Sequence, residues 1–136
     1  MSEELLLTAY ERGWNLHDPR ACAECFTPEA TREMRLRRSY GGPTPSGPSR
    51  GRDAIRADIA LVMDAVPDLV LEVLSAAYAS DRRLWTEWRL AGTCAGEGND
   101  RWPAGRTVSV LGVSVFLLSN AGFREERLYW DSAFAR

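Results

Sequence analysis

Apolar and polar positions alternate with two different periods along this chain. Over residues 3 to about 16, Leu6, Leu7, Tyr10 and Trp14 recur at helical spacing, which predicts a first helix. Asn15-Leu16-His17-Asp18 breaks it. Asp18 is a good N-cap and Pro19 suits the first helical position, so a short second helix follows to about Phe26, closed by Thr27-Pro28. A short strand is expected over 30–38. A Gly-, Pro- and Ser-rich loop then spans 39–52 as a lid or a disordered segment. Ile55, Ile59, Val62, Met63 and Val66 form the stripe of a third helix from about Asp53 to Val66, stopped by Pro67. The remainder has the period of strands, over about 69–79, 83–94, 106–118 and 123–131, with turn-rich separators. Helices first and then a run of strands joined by short turns predicts one α+β domain over 1–136. Its helices cover one face of a curved, mostly antiparallel sheet.

Face parity adds detail. In 85–90, Trp88 and Leu90 fall on the inward face, and Glu87 and Arg89 on the outward one. The 106–118 strand is apolar on both faces, with Val108, Val110 and Phe116 on one and Leu111, Val113, Val115 and Leu117 on the other. Such a strand needs a second cover, and a partner subunit is the economical one, so a homodimer through the sheet is expected. In the last strand Leu128 and Trp130 face inward, and Glu126 shares their face. A buried acid is costly unless it is paired, wet or useful. Glu126 is therefore either a general acid/base in an apolar pocket or a salt-bridge partner of Arg124 or another arginine.

Composition narrows the classes. The chain has 136 residues, 45% of them hydrophobic, and a formal net charge of −2. It carries no basic block for nucleic acid and no apolar run long enough for a membrane span. The acidic start, Met1-Ser2-Glu3-Glu4, does not resemble a secretory signal, so a cytoplasmic protein is expected. All 17 basic residues are arginine, which excludes Schiff-base chemistry on a lysine. Cys22-Ala-Glu-Cys25 has the C-x-x-C spacing, but no strand leads into it, and the two thiols suit a helix core better than a redox or metal role. With His17 as the sole histidine, no metal or organic cofactor is expected. Arg35, Arg37 and Arg38 suit either an anionic group under the lid or a solvated strand edge. Five tryptophans favour a ligand cavity, because indoles are hard to pack fully. Trp14, Met34, Met63, Trp88, Phe116 and Trp130 are its candidate walls, for a hydrophobic small molecule.

Several segments resemble the SnoaL-like polyketide cyclases of the nuclear-transport-factor-2-like, ketosteroid isomerase-like superfamily. They are Tyr10-Glu11-Arg12-Gly13-Trp14-Asn15-Leu16-His17-Asp18, Phe26-Thr27-Pro28-Glu29-Ala30, Gly51-Arg52-Asp53-Ala54-Ile55, Trp88-Arg89-Leu90-Ala91-Gly92-Thr93, Pro103-Ala104-Gly105-Arg106-Thr107-Val108 and Tyr129-Trp130-Asp131. The resemblance implies a cone-shaped sheet around three helices, the cystatin-like α+β barrel, with a ligand pocket in its mouth and dimers through the sheet. It also implies cofactor-free cyclase or isomerase chemistry on a polyketide-like or other carbonyl substrate, as in antibiotic biosynthesis. A non-catalytic binding module of the same fold is the alternative. By the same resemblance Tyr10 matches an oxyanion donor of the isomerases, while Met34 stands where their base belongs and Ser114 where their second donor belongs. A methionine takes no proton, which disfavours that mechanism. The Asp-Arg-Asp set of limonene-type epoxide hydrolases is replaced by Trp88, Leu90 and Leu128. The cyclases use a pocket carboxylate with histidine and other polar neighbours. Glu126 and Asp131 are the candidate carboxylates, and His17 lies in the helix break, away from them.

Overall fold

The computed structural model describes residues 2–34, 47–95 and 104–130. Within them the elements run α1 (Glu3–Asn15), α2 (Pro19–Glu24), β1 (Phe26–Met34), β2 (Ser49–Arg50), α3 (Arg52–Ala65), β3 (Val70–Tyr78), β4 (Arg83–Thr93), β5 (Thr107–Ser119) and β6 (Gly122–Trp130). Arg35, Arg37, Arg38, most of the 39–52 loop, the 96–100 turn and Asp131 lie outside the described residues.

Each helix begins where its capping chemistry sits. Ser2 accepts a hydrogen bond from Leu5 N at 3.2 Å, and Glu3 and Glu4 occupy the positive end of α1. Asp18 accepts from Ala21 N at 3.0 Å, with Pro19 in the first turn of α2. The apolar side of α1 buries Leu6, Tyr10 and Trp14. Two polar residues of the same helix dock it on β3. Asn15 donates Nδ2 to Leu71 O at 2.8 Å and accepts from Leu71 N at 2.7 Å, and Glu11 accepts from Val73 N at 2.7 Å. These bonds occupy backbone groups on the edge strand β3 that the sheet leaves unpaired. They also fix the rotation of α1 about its axis.

The strand order is β2-β1-β6-β5-β4-β3. β1 and β6 are parallel, and every other pair is antiparallel. The sheet is curved and unclosed, with the three helices on its concave side. The parity expected for β4 is observed, since Leu84, Thr86, Trp88 and Leu90 are buried and Trp85, Glu87 and Arg89 are exposed. In β6, Glu126 and Leu128 are buried as neighbours on one face.

One boundary differs from expectation. α2 ends at Glu24, and β1 starts at Phe26 rather than near residue 30. Phe26 is fully buried and pairs with Phe123, and Phe123 N donates to Cys25 O at 2.9 Å. Burial of that aromatic pair at the sheet outweighs another helical turn. Pro28, which cannot donate to a ladder, lies in the interval between Phe26 and Thr31 where the register with β6 shifts. The short β2 has no period of its own and exists only because Thr31 and Arg32 supply a partner.

The convex face of the sheet has no covering layer among the described residues. Trp85 is 48% exposed, Leu111 49% and Tyr129 40%. Val113 pairs with Tyr129 on one side and with Glu87 on the other, so these side chains form a continuous patch.

Inside the curve, β5 carries Gly112 beneath the Trp88 ring. A Cβ there would lie 2.3 Å from Trp88 Cζ2. Gly112→Ala is expected to cost about 1–3 kcal/mol by overpacking and to displace the indole. Urea unfolding and the Trp88 indole NMR signal measure both effects.

Candidate functional site

A cavity opens between the helices and the concave face. Ten residues singled out in the sequence meet in its wall, namely Tyr10, Trp14, Met34, Trp88, Leu90, Ser114, Phe116, Glu126, Leu128 and Trp130. Met63 does not. It faces a separate depression beside His17 and Pro19, and Val62, one position earlier on α3, lines the cavity instead. The helical stripe is wide enough that its two edges face different neighbours.

The walls are almost wholly apolar. Trp88 and Trp130 lie with ring centroids 6.5 Å apart. The Tyr10 ring is held edge-on by Phe26, Phe116 and Phe123 at 5.5 to 5.7 Å. The free volume is about 40 Å³, against roughly 150 Å³ for an apolar cavity that holds benzene. A ligand of that size therefore requires side chains to turn. Leu7, Met34 and Trp130 are among the half-buried residues of the wall.

Most of the polar groups of the wall meet around Glu126, which is 3% exposed, while Glu11 is bonded to Val73 N. Tyr10 Oη donates to Glu126 Oε1 at 2.7 Å, and Arg32 Nε donates to the same oxygen at 2.9 Å. Ser114 Oγ donates to Oε2 at 2.7 Å. Trp88 Nε1 donates to Ser114 Oγ at 2.9 Å, which fixes the serine hydroxyl toward the carboxylate. On its far side Arg32 Nη1 donates to Asp58 Oδ2 at 2.8 Å. The guanidinium also lies over the Trp14 ring, 5.8 Å from its centroid.

Two of these residues were not expected from the sequence. Arg32 is 5% exposed and Asp58 6%. Both carried a signal. Arg32 alternates with Ala30 and Met34 on the inward face of β1, and Asp58 lies three residues after Ile55 and four before Val62, inside the apolar stripe of α3. The ion-pair partner of Glu126 is thus Arg32 on the neighbouring strand, and the paired carboxylate lies in the cavity wall. A carboxylate–guanidinium–carboxylate array exists here, but on β6, β1 and α3. Asp58 stands behind Arg32 and does not line the cavity.

Burial, and then the charge of Glu126, holds the Tyr10 hydroxyl well above its usual range, so it remains a proton-bearing donor. Burial alone would lower the Arg32 guanidinium, and Tyr10, Glu126 and Asp58 outweigh it. Burial raises the Asp58 carboxyl, with Arg32 opposing. Asp58 Oδ1 has no hydrogen-bond partner among the described residues. Burial pushes the Cys25 thiol up to about 11 and raises Cys22 further, so neither forms a thiolate readily. No group of three or more His, Cys, Asp or Glu able to hold a metal ion occurs among the described residues.

A family model, the SnoaL-like domain, matches residues 7–124. No curated protein sequence matches the chain. Among solved structures, a protein assigned as a SnoaL-like polyketide cyclase from Jannaschia sp. CCS1 is 22% identical, with 94% of this chain and 83% of that one covered at a TM-score of 0.74. The epoxide hydrolase/cyclase-like enzyme SalBIII, of pyran ring formation in polyether salinomycin, is 20% identical over 94% and 89% of the two chains at 0.70. An NTF2-like protein of unknown function from Burkholderia pseudomallei K96243 is 16% identical over 98% and 94% at 0.75. At these identities the likeness is one of fold.

Arg32 is the cation that this buried network requires. Arg32→Met is expected to cost about 3–5 kcal/mol at neutral pH, because it strands two buried carboxylates. Such groups have raised folded pKa values. The protonated forms fit the interior, and stability is lost as pH rises through those values. The deficit should therefore shrink toward pH 5, as urea titrations of both proteins at several pH values measure.

Proposed function

From the premise that the chain belongs to the SnoaL-like domain family, we propose that it is a cofactor-independent acid/base enzyme, a cyclase or isomerase acting on a hydrophobic polyketide-like or other carbonyl substrate. One observation carries this reading: the buried Glu126 carboxylate and the Tyr10 hydroxyl meet at 2.7 Å in the wall of a mainly apolar cavity. A substrate carbonyl that enters takes the Tyr10 hydrogen bond. Glu126 Oε1 then loses a donor and gains a free lone pair beside the substrate's α-carbon. The α C–H bond breaks, its proton passes to Glu126, and the electron pair moves to the carbonyl oxygen, which Tyr10 stabilises. Ser114 and Arg32 stay bonded to Glu126 and hold it in place. In ring closure the enolate carbon attacks a second carbonyl, the C=O π bond opens to an alkoxide, and that oxygen takes the proton back from Glu126. Asp131 stands as a further candidate carboxylate on the resemblance alone.

A second reading is a non-catalytic binding module for a hydrophobic ligand. The three donors already engaged with Glu126 favour it, since they occupy the carboxylate lone pairs that would have to take a substrate proton. The buried free cysteines suit a reducing compartment, which supports the expectation of a cytoplasmic protein. Among the described residues no helix is long and apolar enough to cross a membrane.

Exchange of the methyl protons of acetophenone in D2O, followed by proton NMR, separates the two readings without knowledge of the natural substrate. The protein should accelerate exchange. Glu126→Gln should lower the rate about 10²–10⁴-fold, and Tyr10→Phe about 10²–10³-fold. Binding without acceleration would establish the module instead.

The exposed Trp85, Leu111, Val113 and Tyr129 support a homodimer through the convex face. Sedimentation equilibrium should give twice the chain mass, and Trp85→Arg combined with Leu111→Arg should give the monomer.

A further inference from the structure

The cavity wall holds one cation among the described residues, Arg32. A buried arginine at the end of an apolar pocket would ordinarily be a receptor for a carboxylate or another anion, because its planar fork matches two oxygens at once. Here both forks are already broken. The Nε–Nη2 edge has Nε bonded to Glu126 at 2.9 Å, and the Nη1–Nη2 edge has Nη1 bonded to Asp58 at 2.8 Å. No pair of adjacent nitrogens is free to take a bidentate anion. The charges agree with the geometry. Glu126 in the cavity wall and Asp58 behind it both pair with Arg32, so two carboxylates flank one guanidinium and the cluster carries a net negative formal charge.

Asp58 is the member of this set that the chemistry does not use. It does not line the cavity, and no part of the proton transfer passes through it. Its effect is on what Arg32 offers to a ligand. We propose that Asp58 determines specificity: by occupying Arg32 from behind, it stops the guanidinium from acting as an anion receptor. The cavity then takes neutral carbonyl compounds and excludes carboxylates of the same shape. This inference rests on the reading of the cavity as a substrate site, and it names the charge class of that substrate.

Acetophenone and benzoate test it, because they are nearly isosteric and differ in charge. Each is titrated at pH 8, where carboxylates are ionised, and binding is followed by the indole NMR signals of Trp88 and Trp130. The native chain should bind acetophenone at least about tenfold more tightly than benzoate, from repulsion by the surrounding carboxylates. Asp58→Asn keeps the side chain's shape and an acceptor for Nη1 but removes one charge, so the Arg32 cation is balanced by Glu126 alone. It should narrow the preference to about threefold or less, chiefly by tighter benzoate binding. Equal binding of the two compounds by the native chain overturns the proposal, and so does an unchanged preference in Asp58→Asn. If neither compound shifts the indole signals, the substrate-site reading itself fails. The native comparison needs no variant, so equal binding overturns the proposal even if Asp58→Asn does not fold.

Discussion

The buried guanidinium of Arg32 is the constraint on which the rest of this structure depends. It joins β1 to β6 through Glu126 and to α3 through Asp58, and all three side chains are nearly excluded from water. Ions taken out of water are stable only when their partners are near and their remaining hydrogen bonds are made. That requirement sets the spacing between the helical layer and the sheet at this point. It also explains the two donors that complete Glu126, Tyr10 from α1 and Ser114 from β5. Five elements, α1, β1, α3, β5 and β6, each send one group into this network, and a shift of any of them would break it.

Around this polar knot the molecule keeps an apolar space. The curved sheet cannot be filled completely by three short helices, and large rings line what remains. Trp88 holds Ser114 through its indole nitrogen, and its ring lies over Gly112, where the absence of a side chain makes room. The cavity wall and the polar network are therefore not separate features of the fold. The same tryptophan that walls the cavity orients the serine that orients the carboxylate.

The periodicities alone make most of the fold legible. Helical spacing locates α1 and α3, and strand parity gives the correct inward faces of β4 and β6, because period and burial are local properties of a chain. The start of β1 is not legible, since Phe26 pairs with Phe123 nearly a hundred residues away. Glu126 is conspicuous as an acid on an apolar face. Arg32 and Asp58 carried the same kind of signal but lay among so many surface arginines and acids that alternation alone did not separate them. Met63 shows the complementary failure, because a residue on a helical stripe can face the core and still miss the cavity.

By itself the sequence determined that the chain forms three helices and a run of strands, that an acid is buried near its end, and that aromatic residues surround that acid. Only the tertiary structure decided which cation neutralises it, which donors complete it, and that a second carboxylate stands behind the cation. The reason is physical. Periodicity records how a residue is placed against its own element, whereas a buried charge is stabilised by groups from other elements, brought within 3 Å by the packing of the whole domain.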